Sequence, residues 1–275
     1  LLEILVCVGL VDCKPLVVFL NLSPSSPLIF FLEPGPVPRG EPIFKSTYSY
    51  GKSILTINEI IQICKENNLK SLTLVEDNLT SFMKSFHACQ KNEIDLTYGL
   101  RITVSNENLD ENSDHKVIIF ALDDLGCALL NKIYSLAFVK NDGKLTYKDL
   151  KSLWDNNSLS LIIPFYDSFI HQNNLFLKNC IPDLEGFKPR FWIEKNNLPY
   201  DRLIEQKVIE FTDGNFPVSF VKSIYYKNKD DVEALQTYKI LCNRSFGRQA
   251  TLSCPNLNHF SSDEFCFESY LENTK

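Results

Sequence analysis

The chain has 275 residues, 44% of them hydrophobic and 23% charged, the make-up of an ordinary globular protein, which excludes a disordered, collagen-like or small disulfide-stapled chain. At roughly 100 to 200 residues per domain the length admits one large α/β domain or two small ones. Against 28 Lys and Arg stand 34 Asp and Glu, a formal net charge of -6, so the chain as a whole lacks the positive field that holds nucleic acid unaided.

The first forty residues differ from the rest. Lys14, Pro15, Pro24 and Pro27 interrupt their apolar runs, no basic stretch opens them, and residues 15–32 carry Asn21, Ser23, Ser25 and Ser26. Neither a signal peptide nor a spanning helix has that pattern. Residues 1–40 are expected to be an extension foreign to the fold, with 34–40 as linker, and no membrane partner is implied. The nine cysteines include no Cys-x-x-Cys pair, which favours reduced thiols and a cytoplasmic setting.

From Glu41 the pattern alternates. Thr56 with Glu59 three residues on forms a capping box, and Ile57, Ile60, Ile61 and Cys64 follow at helical spacing, predicting a helix over 56–65. A strand is predicted over 70–75, a helix over 81–90, strands over 96–104 and 116–122, and a helix over 125–138. Further strands are predicted over 160–165, 191–194 and 217–226, and a last helix over 230–242. Strands separated by helices imply parallel βαβ units in an open α/β sheet or an α/β barrel. About seven strands and no Gly-x-Gly-x-x-Gly favour the barrel.

Five segments carry a resemblance: Lys45-Ser-Thr-Tyr-Ser49, Leu55 to Ile60, Leu72 to Leu79, Tyr98-Gly-Leu-Arg101 and His115 to Phe120. Their order and spacing resemble the PHP (polymerase and histidinol phosphatase) domain that opens the bacterial-type replicative DNA polymerase III alpha subunit. Pro217 to Leu241 and Ser262 to Ser269 extend the likeness, so that residues 41–250 correspond to the barrel and 251–275 to the start of the connection towards a polymerase palm. The resemblance implies a distorted seven-stranded (β/α) barrel whose strand ends hold His, Asp and Glu ligands for two or three metal ions.

The sequence departs from that ligand pattern. Ile43 and Lys45 replace the first two histidines, Lys52 an aspartate, Arg101 a glutamate, and Ser223 and Tyr225 the closing Asp-x-His, while Glu76 and Asp77 stand at an Asp-His pair and His115 alone is retained. Three fixed positive charges repel a divalent ion and can pair with Glu76 and Asp77 instead. These eight positions, Lys45, Lys52, Glu76, Asp77, Arg101, His115, Ser223 and Tyr225, are therefore expected to be vestigial, with no metal, cofactor or catalytic residue. The alternative is a manganese- or zinc-dependent phosphoesterase or 3'-5' proofreading exonuclease with a rearranged set of Glu76, Asp77, His115 and Asp167. His87 on a helix, His171 in a loop and His259 are ordinary singletons, and Asp123-Asp124 and Asp230-Asp231 are helix caps.

No Asp-x-Asp occurs in the chain, so the paired carboxylates of nucleotidyl transfer are missing. The parent family is a DNA-directed DNA polymerase, but these residues alone leave enzymatic activity open. The expected role in DNA replication is structural. The domain braces the rest of the replicative polymerase, docks a proofreading exonuclease subunit and meets DNA only indirectly. The segment 173–199 has no clear counterpart and leaves room for an unseen ligand.

Overall fold

A computed structural model describes residues 40–107, 109–242 and 262–272, together with two strands nearer the start, β1 (Glu3–Val8) and β2 (Leu16–Asn21). Among the described residues these two pair only with each other, antiparallel, Val6 opposite Val18. Apart from these strands and Gly40, the expected 1–40 extension, and His259, lie outside the described residues.

The main sheet is built from β3 (Glu41–Phe44), β4 (Ser71–Glu76), β5 (Asp95–Ser105), β6 (His115–Ala121), β7 (Lys144–Thr146), β8 (Leu159–Ile163), β9 (Arg190–Ile193) and β10 (Val218–Ile224). Its order is β4-β3-β10-β9-β8-β6-β5, and β5 pairs again with β4, closing a seven-stranded barrel, while short β7 adds to the far end of β5. The expected seven-stranded α/β barrel is thus the observed fold. One strand corrects the all-parallel expectation: β6 runs antiparallel to both β5 and β8. The cause is the connection. Only residues 106–114 join β5 to β6, with a single 3₁₀ turn at Glu111–Ser113, and a parallel crossover needs a dozen or more residues.

Helices coat the outside: α1 (Ile57–Glu66), α2 (Phe82–Lys91), α3 (Asp124–Ser135), α4 (Tyr147–Ser152), α5 (Phe169–Phe176), α6 (Asp201–Thr212), α7 (Val232–Cys242) and α8 (Phe267–Glu272). Their starts follow local chemistry. The predicted capping box forms at α1, where Glu59 N–H donates to the Thr56 hydroxyl and Thr56 N–H to the Glu59 carboxylate. Asp123 caps α3 by accepting from Gly126 N–H at 2.6 Å, and Asp231 closes the turn before α7 by accepting from Asn228 N–H. The expected helix over 125–138 ends at Ser135 and continues as one π turn over Leu136–Lys140. Helices α4, α5 and α6 had no sequence forecast, and the segment 173–199 contains the end of α5 and all of β9. Among the described residues, no helix is long and apolar enough to cross a membrane.

Alternation along the strands divides the core in two. Phe44, Leu72, Leu74, Leu100, Val117, Ile119 and Ile224 belong to the large cluster between barrel and helices. Their neighbours Ile43, Val75, Ile118, Phe120, Ile162, Trp192 and Val221 form a separate cluster that fills the barrel interior. Gly99 of β5 makes room for it, since a Cβ there would stand 2.6 Å from the Phe120 ring. Gly99→Ala is expected to lower stability by about 1–3 kcal/mol through overpacking. Urea denaturation checks it, and Phe120→Leu in the same chain should recover part of the loss.

Candidate functional site

The six parallel strands end at one mouth of the barrel, and reversed β6 begins there. Above the apolar interior cluster, the side chains that line this end are Lys45, Arg101, Pro164, Tyr166, Glu194, Ser223 and Tyr225, around a cavity of about 30 Å³. All but Tyr166 share the strand phase of an interior residue on their own strand: Lys45 of Ile43, Arg101 of Gly99, Pro164 of Ile162, Glu194 of Trp192, and Ser223 and Tyr225 of Val221. Polar residues on that phase can face only the interior, where water is scarce and each charge needs a partner.

Arg101 supplies the central link. Its guanidinium donates to Asp77 at 3.4 Å and, through its other terminal nitrogen, to Asp167 just after β8. Lys45 donates to the same Asp77 oxygen at 3.0 Å. Burial alone would raise the Asp77 carboxyl, but Lys45, Arg101 and Lys116 outweigh it and hold the group well below the usual carboxylate range. A third cation, Lys116 of β6, donates to the Thr103 hydroxyl at 2.6 Å, and burial together with Arg101 pulls its ammonium down to about 8. Lys239 of α7 lies 5.8 Å from the centre of the Tyr225 ring. Burial, then Lys52, pull its ammonium down to about 7.

A second polar group sits beside the first. Glu194 accepts from Ser223 N–H at 3.1 Å, from the Ser223 hydroxyl at 2.9 Å and from Asn196 at 3.0 Å. Burial raises its carboxyl above the ordinary range despite these bonds. Tyr166 donates to Asp201 at 2.9 Å and receives a bond from Asn196.

The structure joins some of the expected positions and separates others. Lys45, Asp77 and Arg101 meet, with Asp167 added. Glu76 does not join them: its side chain is fully buried, one carboxylate oxygen receiving Ser46 N–H at 2.9 Å and the Ser46 hydroxyl, the other the Ser49 hydroxyl. The expected pairing of the cations with both acids therefore holds for Asp77 alone. Lys52 is exposed in the turn after β3. Ser223 serves Glu194, and Tyr225 stacks on Phe265 at 5.4 Å. His115 faces the helix layer, in phase with Val117 and Ile119, its ring nitrogens at 2.9 Å from Ser113 O and 2.8 Å from the Tyr147 hydroxyl. Burial pulls its imidazole down to about 4. The alternative set of Glu76, Asp77, His115 and Asp167 is thus split between two faces. Among the described residues, no three His, Cys, Asp or Glu gather as metal ligands do.

Sequence reading missed Lys116, Glu194 and Lys239. Lys116 carried a signal, for it shares the phase of Ile118 and Phe120. His171 belongs to α5 rather than a loop and is buried among Tyr166, Phe176 and Tyr200.

The PHP domain pattern matches residues 44–272. The chain belongs to the PHP domain family. The DNA polymerase III alpha subunit of Rickettsia felis is 25% identical over 177 residues, 60% of this chain and 14% of that protein. The Rickettsia bellii subunit is 22% identical over 200 residues, 67% of this chain and 17% of its own length. This PHP domain therefore spans about a sixth of the curated relatives it matches. A Bifidobacterium adolescentis protein provisionally assigned as a metal-dependent phosphoesterase is 9% identical with a TM-score of 0.42, covering 68% of this chain and 88% of that one.

Two outcomes follow from the charges at the mouth. Asp77→Asn leaves Lys45 and Arg101 facing a neutral amide and should cost about 3 kcal/mol, read by chemical denaturation near pH 7. In the parent chain the Asp77 contribution is complete above the usual carboxylate range and is lost as pH falls below it. Lys239 acts in another window. Its folded value of about 7 lies below that of an unfolded lysine, so the unfolded chain binds more protons and stability rises from pH 7 towards 10. In Lys239→Met that rise should be shallower, and an identical slope in both proteins would contradict the assignment.

Proposed function

We propose that this PHP domain is the N-terminal domain, or a piece of it, of a bacterial-type replicative DNA polymerase III alpha subunit, acting in DNA replication as a brace and docking surface without hydrolytic activity of its own. The observation that carries the reading is Arg101, whose guanidinium lies between Asp77 and Asp167 where the family resemblance puts a metal-binding glutamate. A divalent ion bound to Asp77 would stand within a few ångströms of both Lys45 and Arg101. At 4 Å and an effective dielectric of 20 each contact costs about 8 kcal/mol of repulsion, and the two together offset what one carboxylate at coordination distance returns, about 14 kcal/mol. The residues do not fit a metal, and no hydrolytic step is derived through one.

What remains is a rigid barrel whose polar interior is internally paired. Such a body suits a mechanical task within the polymerase: holding neighbouring domains and offering its helical surface to a proofreading exonuclease subunit, with DNA reached only through them. Cytoplasmic location accompanies that role, and the buried thiols Cys64, Cys89, Cys180 and Cys266 are free.

Elemental analysis after incubation with manganese and zinc, paired with a thermal melt, tests the metal-free reading. The expected result is no stoichiometric ion and no rise in Tm. A bound ion near integer stoichiometry with a raised Tm would overturn it. Docking is checked by co-expression with the source organism's proofreading exonuclease subunit, where a complex stable to size-exclusion chromatography is expected and two separate peaks would contradict the role.

A further inference from the structure

Helix α5 ends against the connection that joins β5 to β6. Asn179 N–H donates to Asn112 O at 3.1 Å, the Asn106 side-chain amide donates to Asn179 O at 3.0 Å, and Ile181 N–H donates to the Asn106 side-chain oxygen at 3.1 Å. These bonds bring residues 106–112 and 176–181 into one ledge. Its outer side is apolar: Phe176, Leu177 and Ile181 are 51%, 89% and 60% exposed, and Leu109 is exposed as well. Leu109 and Leu177 both hold left-handed backbone, φ +52° in each, a conformation that favours glycine and strains a bulky residue. The ledge thus carries leucine at two positions where neither burial nor backbone conformation calls for it. Exposed apolar side chains grouped in this way mark an interaction surface.

Charge decides what fits there. Glu107, Asp110 and Glu111 are exposed along the same connection, and among the described residues none of the three forms a salt bridge. The neighbouring Asp114 is taken by Lys144 at 2.6 Å, and the Lys178 ammonium donates to the backbone oxygens of Glu111 and Asp114 at 3.4 and 3.3 Å. Such a rim repels nucleic acid and anionic lipid. It also repels a second copy of this chain, whose net charge is -6 and whose own acids would face it across a two-fold axis. Residues 1–40 set Glu3, Asp12 and Glu33 against Lys14 and Arg39, so they bring no net positive charge either. We propose that the ledge docks a segment of a partner protein that presents large apolar side chains flanked by lysine or arginine. The apolar groups cover Leu109, Phe176, Leu177 and Ile181, and the cations meet the three free acids. The inference rests on the docking role above, to which it gives a surface and a partner chemistry, and not on the metal-free mouth.

The test follows the fluorescence anisotropy of a short labelled amphipathic peptide of leucine and lysine, and of a counterpart with glutamate in place of lysine, titrated with the purified chain. Saturable binding of the lysine peptide alone is expected, weakening as salt rises. Leu177→Ser with Ile181→Ser should weaken it about tenfold, and Glu107→Gln with Glu111→Gln should weaken it and flatten its salt dependence. Leu203→Ser, at an exposed leucine of α6, should leave it unaltered. Every change is at an exposed side chain, and circular dichroism checks that each variant folds. Equal binding of both peptides, or binding that ignores the ledge variants, overturns the inference. So does a dimer in sedimentation equilibrium that Leu177→Ser dissociates, since the occupant is then a second copy. The exonuclease complex separates this inference from the docking role. If that complex forms while the lysine peptide does not bind, the inference alone falls, and if neither binds, the docking role falls with it.

Discussion

The guanidinium of Arg101, held between Asp77 and Asp167, is the contact on which the upper half of the barrel depends. Parallel strands deliver their C-terminal ends to one mouth, and alternate residues there must face inwards whatever their chemistry. In this chain those positions carry lysine, arginine, aspartate and glutamate above a floor of Ile43, Val75, Ile118 and Trp192. A charged layer over an apolar one is tolerable only if its members neutralise one another. Asp77 accepts two cations at once, and Asp167 anchors the far side of the guanidinium.

Near this layer the chain also closes on itself. Backbone N–H of Tyr225 donates to Phe265 O at 2.9 Å and that of Phe267 to Tyr226 O at 3.1 Å, so residues 262–272 return to the barrel beside the end of β10. Phe265, Cys266 and Phe267 are buried in the outer core, and Lys222, itself buried, pairs with Glu264 at 3.1 Å. This return fixes Tyr225 by stacking Phe265 against it, which in turn positions the ring over which Lys239 sits. Packing behind the barrel thus sets electrostatics at its mouth.

The fold was largely legible because its signals are local. The Thr56–Glu59 box, the Asp123 cap and the β-branched strand runs each act within a few residues, and the strand count followed from them. The direction of β6 was legible too, in the shortness of its connection, but helix-separated neighbours on both sides masked it. The site was harder because it depends on strand phase. The Glu76-Asp77 pair gives no sign of which acid turns inwards, and only the pleat decides that Asp77 meets Lys45 and Arg101 while Glu76 meets two serines. The same rule separates His115 from Lys116. A shift of one residue moves a side chain from one face of a sheet to the other, so the histidine that looked like a surviving ligand lies outside the barrel wall and the lysine beside it lies within.

On the reading proposed here, these positions are coupled, and the coupling makes the state hard to leave by single changes. Replacing Arg101 with glutamate would add a carboxylate beside the half-buried Asp77 and Asp167, yet buried Lys45 and half-buried Lys116 would remain beside them. The new acid would be drawn into pairing with them rather than left free for a metal. Removing Lys45 alone would leave Asp77 held by Arg101. A hard cation needs several anionic or imidazole ligands at once and no fixed positive charge among them, a condition that requires at least Lys45, Arg101 and Lys116 to change together. Each intermediate step carries the cost of an uncompensated buried charge, several kcal/mol against a total stability of about 5–15 kcal/mol. On that reading the ion-paired interior is a separate energetic minimum, in which fixed cations would do the neutralising that a bound metal does elsewhere.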